Sequence, residues 1–280
     1  MKLTYLGTAA AEGWPALWCN CPSCKTARER GGKDIRTRSQ ALVNDDLLLD
    51  FPPDTYHHVL DYGLDLDRVK NVLITHSHED HLLACEFAYR LTGYYCGEHE
   101  DFILHVYGNH GVMQNIEAAL SYYDKAQMSK HVQFHELTEY QEYKIGDYTV
   151  YPMLADHNPK EKCLIYAIVA PDGKQLLYAH DTGYFPKSTW DFIAEKGFVF
   201  DLVSLDCTAG SLQCWTGHMA FDSAASVADR LKKTGRTADD AKFVWNHFSH
   251  NCKVLGYDEM MEAGKQYGFD VSYDGKIIEV

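Results

Sequence analysis

Apolar residues in this chain fall into short runs, and run after run stops at residues able to hold a metal ion. In the first half, positions 2–7, 40–44, 47–51, 69–74, 102–107 and 131–135 read as strands. In the second half, 148–155, 163–170, 175–179, 200–205 and 242–246 do the same. Helical spacing or a Pro start marks 22–30, 56–62, 82–91, 109–128, 186–196, 219–233 and 258–267. Asp45-Asp46 reads as the turn between 40–44 and 47–51, and Pro171-Asp172-Gly173 as a hairpin turn. Tyr273-Asp274-Gly275 reads as a closing hairpin. Linkers, repeats and low-complexity segments do not interrupt the series, so one domain over 1–280 is expected.

The ends of the runs carry the chemistry. Run 69–74 leads into Thr75-His76-Ser77-His78-Glu79-Asp80-His81, four metal ligands within six residues. His76 and His78 can serve one ion from an extended turn, and Asp80 and His81 a second ion beside it. Imidazole with carboxylate suits Zn, Mn or Fe, and two ions ~4 Å apart suit phosphate-ester hydrolysis. Later strand ends present Asp156-His157, His180-Asp181 and His247. Neighbouring positions on a strand end face opposite ways, so only one of His180 and Asp181 can face the metals. His57 and His58 diverge by about 100° on a helix and read as surface or core histidines. His131, Gln133 and His135 read as solvent-facing. Tyr89, Tyr94 and Tyr95 read as edge packing, with a pocket wall as the alternative. Arg36 and Arg38 read as salt-bridging residues, with a phosphate contact as the alternative.

Hydrophobic residues make up 46% and charged residues 24%, an ordinary globular composition. The net charge of −14 argues against a nucleic-acid duplex as partner but not against a small anion bound through cations. No apolar run approaches the ~18 residues of a membrane span, and no signal peptide is evident. Nine cysteines with three of them in six positions suggest metal in a cytoplasmic protein. Cys19-Asn20-Cys21-Pro22-Ser23-Cys24 supplies three corners of a tetrahedral zinc site, and a fourth ligand must come from elsewhere. His250 and Cys252 compete for that corner. The oligomeric state stays open, a homodimer included.

The H-x-H-x-D-H run resembles the signature of the metallo-β-lactamase superfamily. That resemblance implies an α/β fold, a four-layer αββα sandwich. It also implies that His76, His78 and His157 hold one ion and Asp80, His81 and His247 a second, with Asp181 bridging. With His247 in that set, His250 is free to join Cys19, Cys21 and Cys24 around a structural zinc. The C-x-C-x-x-C, the metal run and the C-terminal H-x-x-H together resemble the PhnP-type phosphodiesterases. The region 9–39, with Cys-Asn-Cys-Pro and Arg-x-Arg-Ser, is also similar to PqqB proteins of pyrroloquinoline quinone biosynthesis. Ribonuclease Z shares the catalytic ligands, but the acidic charge and lack of a tRNA-clamping insertion set it apart. His218 resembles a histidine that PhnP and ribonuclease Z proteins place near the scissile phosphate. The implied reaction is hydrolysis of a small phosphodiester, cyclic ones such as a phosphoribosyl cyclic phosphate included. In it a metal-activated water attacks, Asp80 orients that water and His218 assists the leaving oxygen. The rival readings are a PqqB-like metal carrier without turnover and a di-iron oxidoreductase on the same fold.

Overall fold

The computed structural model describes residues 1–92, 95–99 and 101–280. Two seven-stranded sheets pack face to face. The first contains β1 (Lys2–Gly7), β2 (Gln40–Val43), β3 (Leu47–Leu49), β4 (Asn71–Leu73), β5 (Leu104–Gly108), β6 (Val132–Glu136) and β14 (Lys276–Glu279). Its order is β14-β1-β2-β3-β4-β5-β6. The second contains β7 (Tyr143–Ile145), β8 (Tyr148–Leu154), β9 (Leu164–Val169), β10 (Gln175–Ala179), β11 (Phe200–Asp206), β12 (Thr237–Asn246) and β13 (Asp270–Val271). Its order is β13-β12-β11-β10-β9-β8-β7.

Period-two alternation explains the layers. Leu3, Tyr5, Ala41, Val43, Leu47 and Leu49 face Leu164, Tyr166, Ile168, Leu176 and Tyr178 across the space between the sheets. Their neighbours Leu42, Leu48, Val72, Val106 and Val132 face outward, under α2 (Thr55–Tyr62) and α3 (His110–Ala119). On the other side, Val203, Leu205, Phe243 and Trp245 pack under α1 (Pro22–Arg30), α5 (Lys187–Lys196), α6 (Phe221–Lys233) and α7 (Tyr257–Tyr267). Three cores between four layers make the αββα sandwich that the sequence resemblance implies. In α6, Phe221, Ala224, Val227, Ala228 and Leu231 are buried at helical spacing, while Asp222 opens the helix and Arg230, Lys232 and Lys233 close it.

Four sequence expectations need correction. Segment 109–128 is two helices, because Asp124 accepts N–H bonds from Ala126 and Gln127 and starts α4 (Lys125–Met128) afresh. Segment 82–91 forms only a 3₁₀ helix, Ala84–Arg90, since Leu83 N–H is tied to Phe51 O at the end of β3. His131 and His135 are half-buried, bonded to His99 at 3.1 Å and His105 at 2.9 Å. The closing hairpin does not form. β13 lies in the second sheet and β14 in the first, so 272–275 crosses between them: Ser272 N–H bonds to Trp245 O, and Gly275 N–H to Tyr5 O.

Histidines 57 and 58 behave as expected. His57 is exposed beside Asp61, and His58 is buried against Gln40 and Thr37. Arg38 pairs with Asp54 at 3.0 Å, and Arg36 is buried against the Phe248 ring. The Tyr89 and Tyr95 rings pack against each other, tilted by 38° with centroids 5.0 Å apart, and Tyr89 lines a cavity distinct from the metal-site cleft; Tyr94 lies outside the described residues. Among the described residues, no helix is long and apolar enough to cross a membrane.

Candidate dinuclear metal centre

The C-terminal ends of β4, β8, β10, β11 and β12 converge on one rim, where an open α/β sheet presents its functional groups. β4 delivers His76, His78, Asp80 and His81. Asp50, at the end of β3, fixes their loop: its Oδ1 accepts from Thr75 N at 2.8 Å and Thr75 Oγ1 at 2.9 Å. Its Oδ2 accepts from His81 Nδ1 at 2.8 Å, which leaves His81 Nε2 for a metal. Glu161 holds the other side, accepting from Ser77 N at 2.9 Å and Ser77 Oγ at 2.7 Å.

One donor set is His76, His78, His157 and Asp181, and a second is Asp80, His81, Asp181 and His247; within each, the ligand atoms lie within 4.8 Å of one another. In the first, His76 Nε2 is 2.9 Å from His78 Nδ1, and His157 Nε2 is 3.2 Å from the same atom. In the second, His81 Nε2 is 3.3 Å from Asp80 Oδ2 and 3.3 Å from His247 Nε2. Asp181 Oδ2 reaches both sets, 3.2 Å from His76 Nε2 and 3.3 Å from His81 Nε2. A tetrahedral ion with ~2.05 Å bonds to nitrogen has donor–donor edges of about 3.3 Å, close to these separations.

A buried acceptor supports the same fit. Asp181 Oδ1 lies 3.0 Å from His218 Nδ1 and 3.2 Å from His157 Nδ1, yet among the described residues none meets it with hydrogen-bond geometry. Such an atom is costly unless something positive faces it. Backbone strain points to the same place: Asp50, Asp181 and His247 have φ of 64°, 53° and 61°. Non-glycine residues with positive φ persist where the surroundings impose them, often at functional sites.

His180 turns away from the metals, its Nε2 2.7 Å from Ser204 Oγ between the sheets. Burial holds it neutral, far below the usual histidine range. Burial also lowers His157 to about 4 and pulls His78 down, so both stand ready as neutral ligands. Burial opposes the charge on Asp181, but His247, His218, His76 and His81 outweigh it and keep the carboxyl ionised. For Asp80 burial is likewise overcome, there by His81.

Sequence reasoning gave Asp206 no role. This buried carboxylate ends β11, with Oδ2 3.4 Å from His247 Nδ1 and 3.5 Å from His218 Nδ1. Thr208 Oγ1 sits 2.7 Å from His247 Nδ1 and 2.9 Å from Asp206 Oδ2, relaying one to the other. His218 precedes α6 and is 35% exposed. Burial depresses it, but Asp181 and Asp206 outweigh that and lift it to about 11. A cleft of about 540 Å³ opens over the metal loop, lined by Arg38, Ser77, His78, Glu79, Asp80 and Asn115.

The candidates for the zinc site also come together in space. Cys19, Cys21, Cys24 and His250 bring their ligand atoms within 4.8 Å of one another, and His250 Nδ1 is 3.5 Å from Cys21 Sγ. Cys252 is not in that set; it packs against Gly210. Glu12, also missed, lies 3.5 Å from His250 Nε2 and accepts from Ser249 Oγ, so it turns Nδ1 toward the thiols.

A two-sheet sandwich with ligands from four strand ends and a shared aspartate defines a class of metal-binding folds. The chain belongs to the family described as the Beta-lactamase superfamily domain, whose pattern matches residues 48–238. Among solved structures, the chain is similar to a diphosphatase of the PhnP family at 20% identity and TM-score 0.75, covering 100% of this chain and 97% of that one. It is similar to Zn²⁺-bound PqqB from Methylobacterium extorquens at 18% identity and TM-score 0.74, covering 100% of both chains. It is also similar to the short form of human tRNase Z at 18% identity and TM-score 0.65, covering 100% of this chain and 99% of that one. At these identities the likeness establishes the fold. No curated protein matches the chain in sequence.

Proposed function

We propose that this protein is a metal-dependent phosphodiesterase acting on a small anionic phosphodiester, cyclic phosphates included. The observation that carries the reading is one carboxylate, Asp181, shared by two complete donor sets beneath an open cleft. His76, His78 and His157 would hold one divalent cation, Asp80, His81 and His247 the other, and Asp181 both. Bound there, the cations would supply charge neutralisation at phosphorus and a water ionisable near neutral pH.

The chain's own groups do the rest. Asp80 is held ionised and lines the cleft, where its carboxylate can accept a hydrogen bond from the water and orient it. His218 keeps Nδ1 against Asp181 and Asp206, which leaves protonated Nε2 as the donor to a departing alkoxide. Asp206 and Thr208 hold His247, and Asp50 holds His81, so neither ring can swing as charge develops. The similarity to a PhnP-family diphosphatase supports a phosphorus-containing substrate. We place the protein in the cytoplasm, where its free thiols stay reduced.

The test is a chromogenic aryl phosphodiester offered to protein loaded separately with Mn and with Zn. Metal-dependent release of the phenolate is the expected result. Intact ester with both metals would overturn the assignment. Bound ion without turnover would favour the PqqB-like reading, and bound iron with oxygen uptake the oxidoreductase.

A further inference from the structure

The cleft over the metal loop has a wall that the chemistry at phosphorus does not use. Arg38 lines it, together with Ala11, Pro53, Glu79 and Asp80. Among the described residues that line this cleft, Arg38 is the one lysine or arginine. Arg36, two positions earlier, is buried with Nη1 bonded to Thr8 Oγ1 and Ser272 O at 2.8 Å each, and serves the core. The Arg38 side chain is 21% exposed.

The Arg38 guanidinium is held in one pose. Nε donates to Ala11 O at 2.8 Å. Nη1 donates to Asp54 Oδ2 at 3.0 Å and lies 3.3 Å from Oδ1. The same Oδ2 accepts from Arg38 N–H at 2.9 Å, so one carboxylate grips both ends of the residue. Both supports are themselves anchored. Asp54 O accepts from His58 N–H at 3.0 Å, in the first turn of α2. Ala11 follows Ala10, whose N–H bonds to Phe248 O and whose O accepts from Gly13 N–H. Nη2 is different: it meets no acceptor among the described residues, and it is not sealed from solvent. A pinned guanidinium with one nitrogen unspent has already lost the rotamer freedom that binding a ligand usually costs.

We propose that Arg38 Nη2 anchors a second anionic group on the substrate, remote from the phosphorus under attack. Its reaction context rests on the phosphodiesterase reading; the binding itself does not. Charge favours this role. Glu79 and Asp80 line the same cleft, and carboxylates repel an anion. The metal ions would draw in the phosphorus group at the reacting centre, but an anion further along the cleft needs a cation of its own. A neutral or cationic tail has no use for a fixed arginine there. A phosphate or carboxylate tail does, because its oxygens accept the Nη2 N–H groups in charge-assisted bonds. Asp54 balances the guanidinium charge at rest and leaves both of those donors unspent. At about 540 Å³ the cleft is the size of pockets that enclose a whole small ligand, which leaves room for a tail beyond the reacting centre. The substrate class is therefore a phosphodiester whose alcohol part carries its own phosphate or carboxylate.

Equilibrium binding tests this without turnover. Zinc-loaded protein is titrated calorimetrically with alkane bisphosphonates of increasing tether length, with alkylphosphonates ending in a carboxylate, and with plain alkylphosphonates as reference. At the best length the second anion is expected to tighten binding about 10–100-fold, and the tighter of the two series names the tail. In Arg38→Gln that gain is expected to vanish. Arg38→Lys keeps the charge without the pinned fork and is expected to retain part of it. Elemental analysis checks that each variant still holds its ions. A wild type with no gain at any length, or an equal gain in Arg38→Gln, would overturn the inference. Turnover separates it from the parent reading. A gain that depends on Arg38, with aryl phosphodiesters left intact, keeps the anchor and removes the phosphodiesterase; hydrolysis of aryl esters with no gain does the reverse.

Discussion

The Thr37 hydroxyl stands 2.7 Å from His58 Nε2 and 2.6 Å from Asp274 Oδ2, and it has one proton to give. Gln40 Nε2 donates to Asp50 O and Thr55 Oγ1, so Gln40 Oε1 must accept from His58 Nδ1–H, 2.6 Å away. His58 Nε2 then either bears a second proton or accepts from Thr37. If Thr37 donates to His58, Asp274 must carry a proton to fill the other contact. Either way the trio is complete only with one proton more than a neutral imidazole and a carboxylate hold. Burial lifts Asp274 from 3.8 to about 6, with the Thr37 and Thr8 bonds and Arg36 pulling the other way. Burial lowers His58 from 6.5 to about 4, against the charge of Asp54.

The signs of the two effects are opposite. Asp274 is raised on folding, so its stabilisation is complete below pH 3.8 and is lost as pH rises through 6, about 3 kcal/mol in all. His58 is depressed on folding, so its stabilisation is complete above pH 6.5 and is lost as pH falls through 4, a similar amount of about 3 kcal/mol. Between pH 4 and 6.5 the two nearly cancel, and this region of the wild type is flat. Asp274→Asn removes one side of the balance. Relative to wild type, its stability is expected to fall on acidification by up to about 1.4 kcal/mol per pH unit. His58→Gln is expected to slope the other way. Urea unfolding of metal-loaded protein at half-unit steps from pH 4.5 to 6.5 measures both, and the metal centres cancel in the differences. If both variants run parallel to wild type across that window, the shared-proton account is wrong.

Three further outcomes follow from the same structure. His218→Gln is expected to lower kcat about 10²–10⁴-fold on alkyl phosphodiesters and far less on aryl esters with good leaving groups, measured by initial rates. Glu12→Ala is expected to weaken the Cys19/Cys21/Cys24/His250 site about 10–100-fold toward a competing chelator while the dinuclear centre keeps its ions, as read by elemental analysis. In Gly183→Ala the new Cβ would stand 2.6 Å from Asp156 Oδ2 and 2.7 Å from Trp215 O; a loss of about 1–3 kcal/mol and a displaced His218 are expected, checked by thermal unfolding and kcat.

Most of the centre could be read because its ligands sit where apolar runs stop. His76 to His81, His157, Asp181 and His247 all obey that rule, and strand parity explains why His180 faces the core while Asp181 does not. Asp206 and Asp50 obey it too, each ending a strand. They escaped notice because a carboxylate that orients a ligand has the same local signature as one that caps a turn. Glu12 could not be read at all, since its partner His250 is far away in sequence and no spacing links them. The split of 109–128 was legible in principle, Asp124 being a good helix-starting residue. The crossing at 272–275 was not: a short strand, a turn with glycine and another strand look alike whether the strands pair with each other or with two different sheets. Positive φ at Asp50, Asp181 and His247 is imposed by tertiary contacts and has no local sign.

Because β14 belongs to the first sheet, β1 gains its second neighbour only from residues 276–279. On a ribosome, β1 must wait beside an open flank until residues 276–279 have emerged. Assembly of that layer is thus a late event, whereas β8 to β12 can associate sooner from contiguous stretches. A nascent chain stalled just short of position 276 would leave this seam unzipped and the protein prone to capture by chaperones.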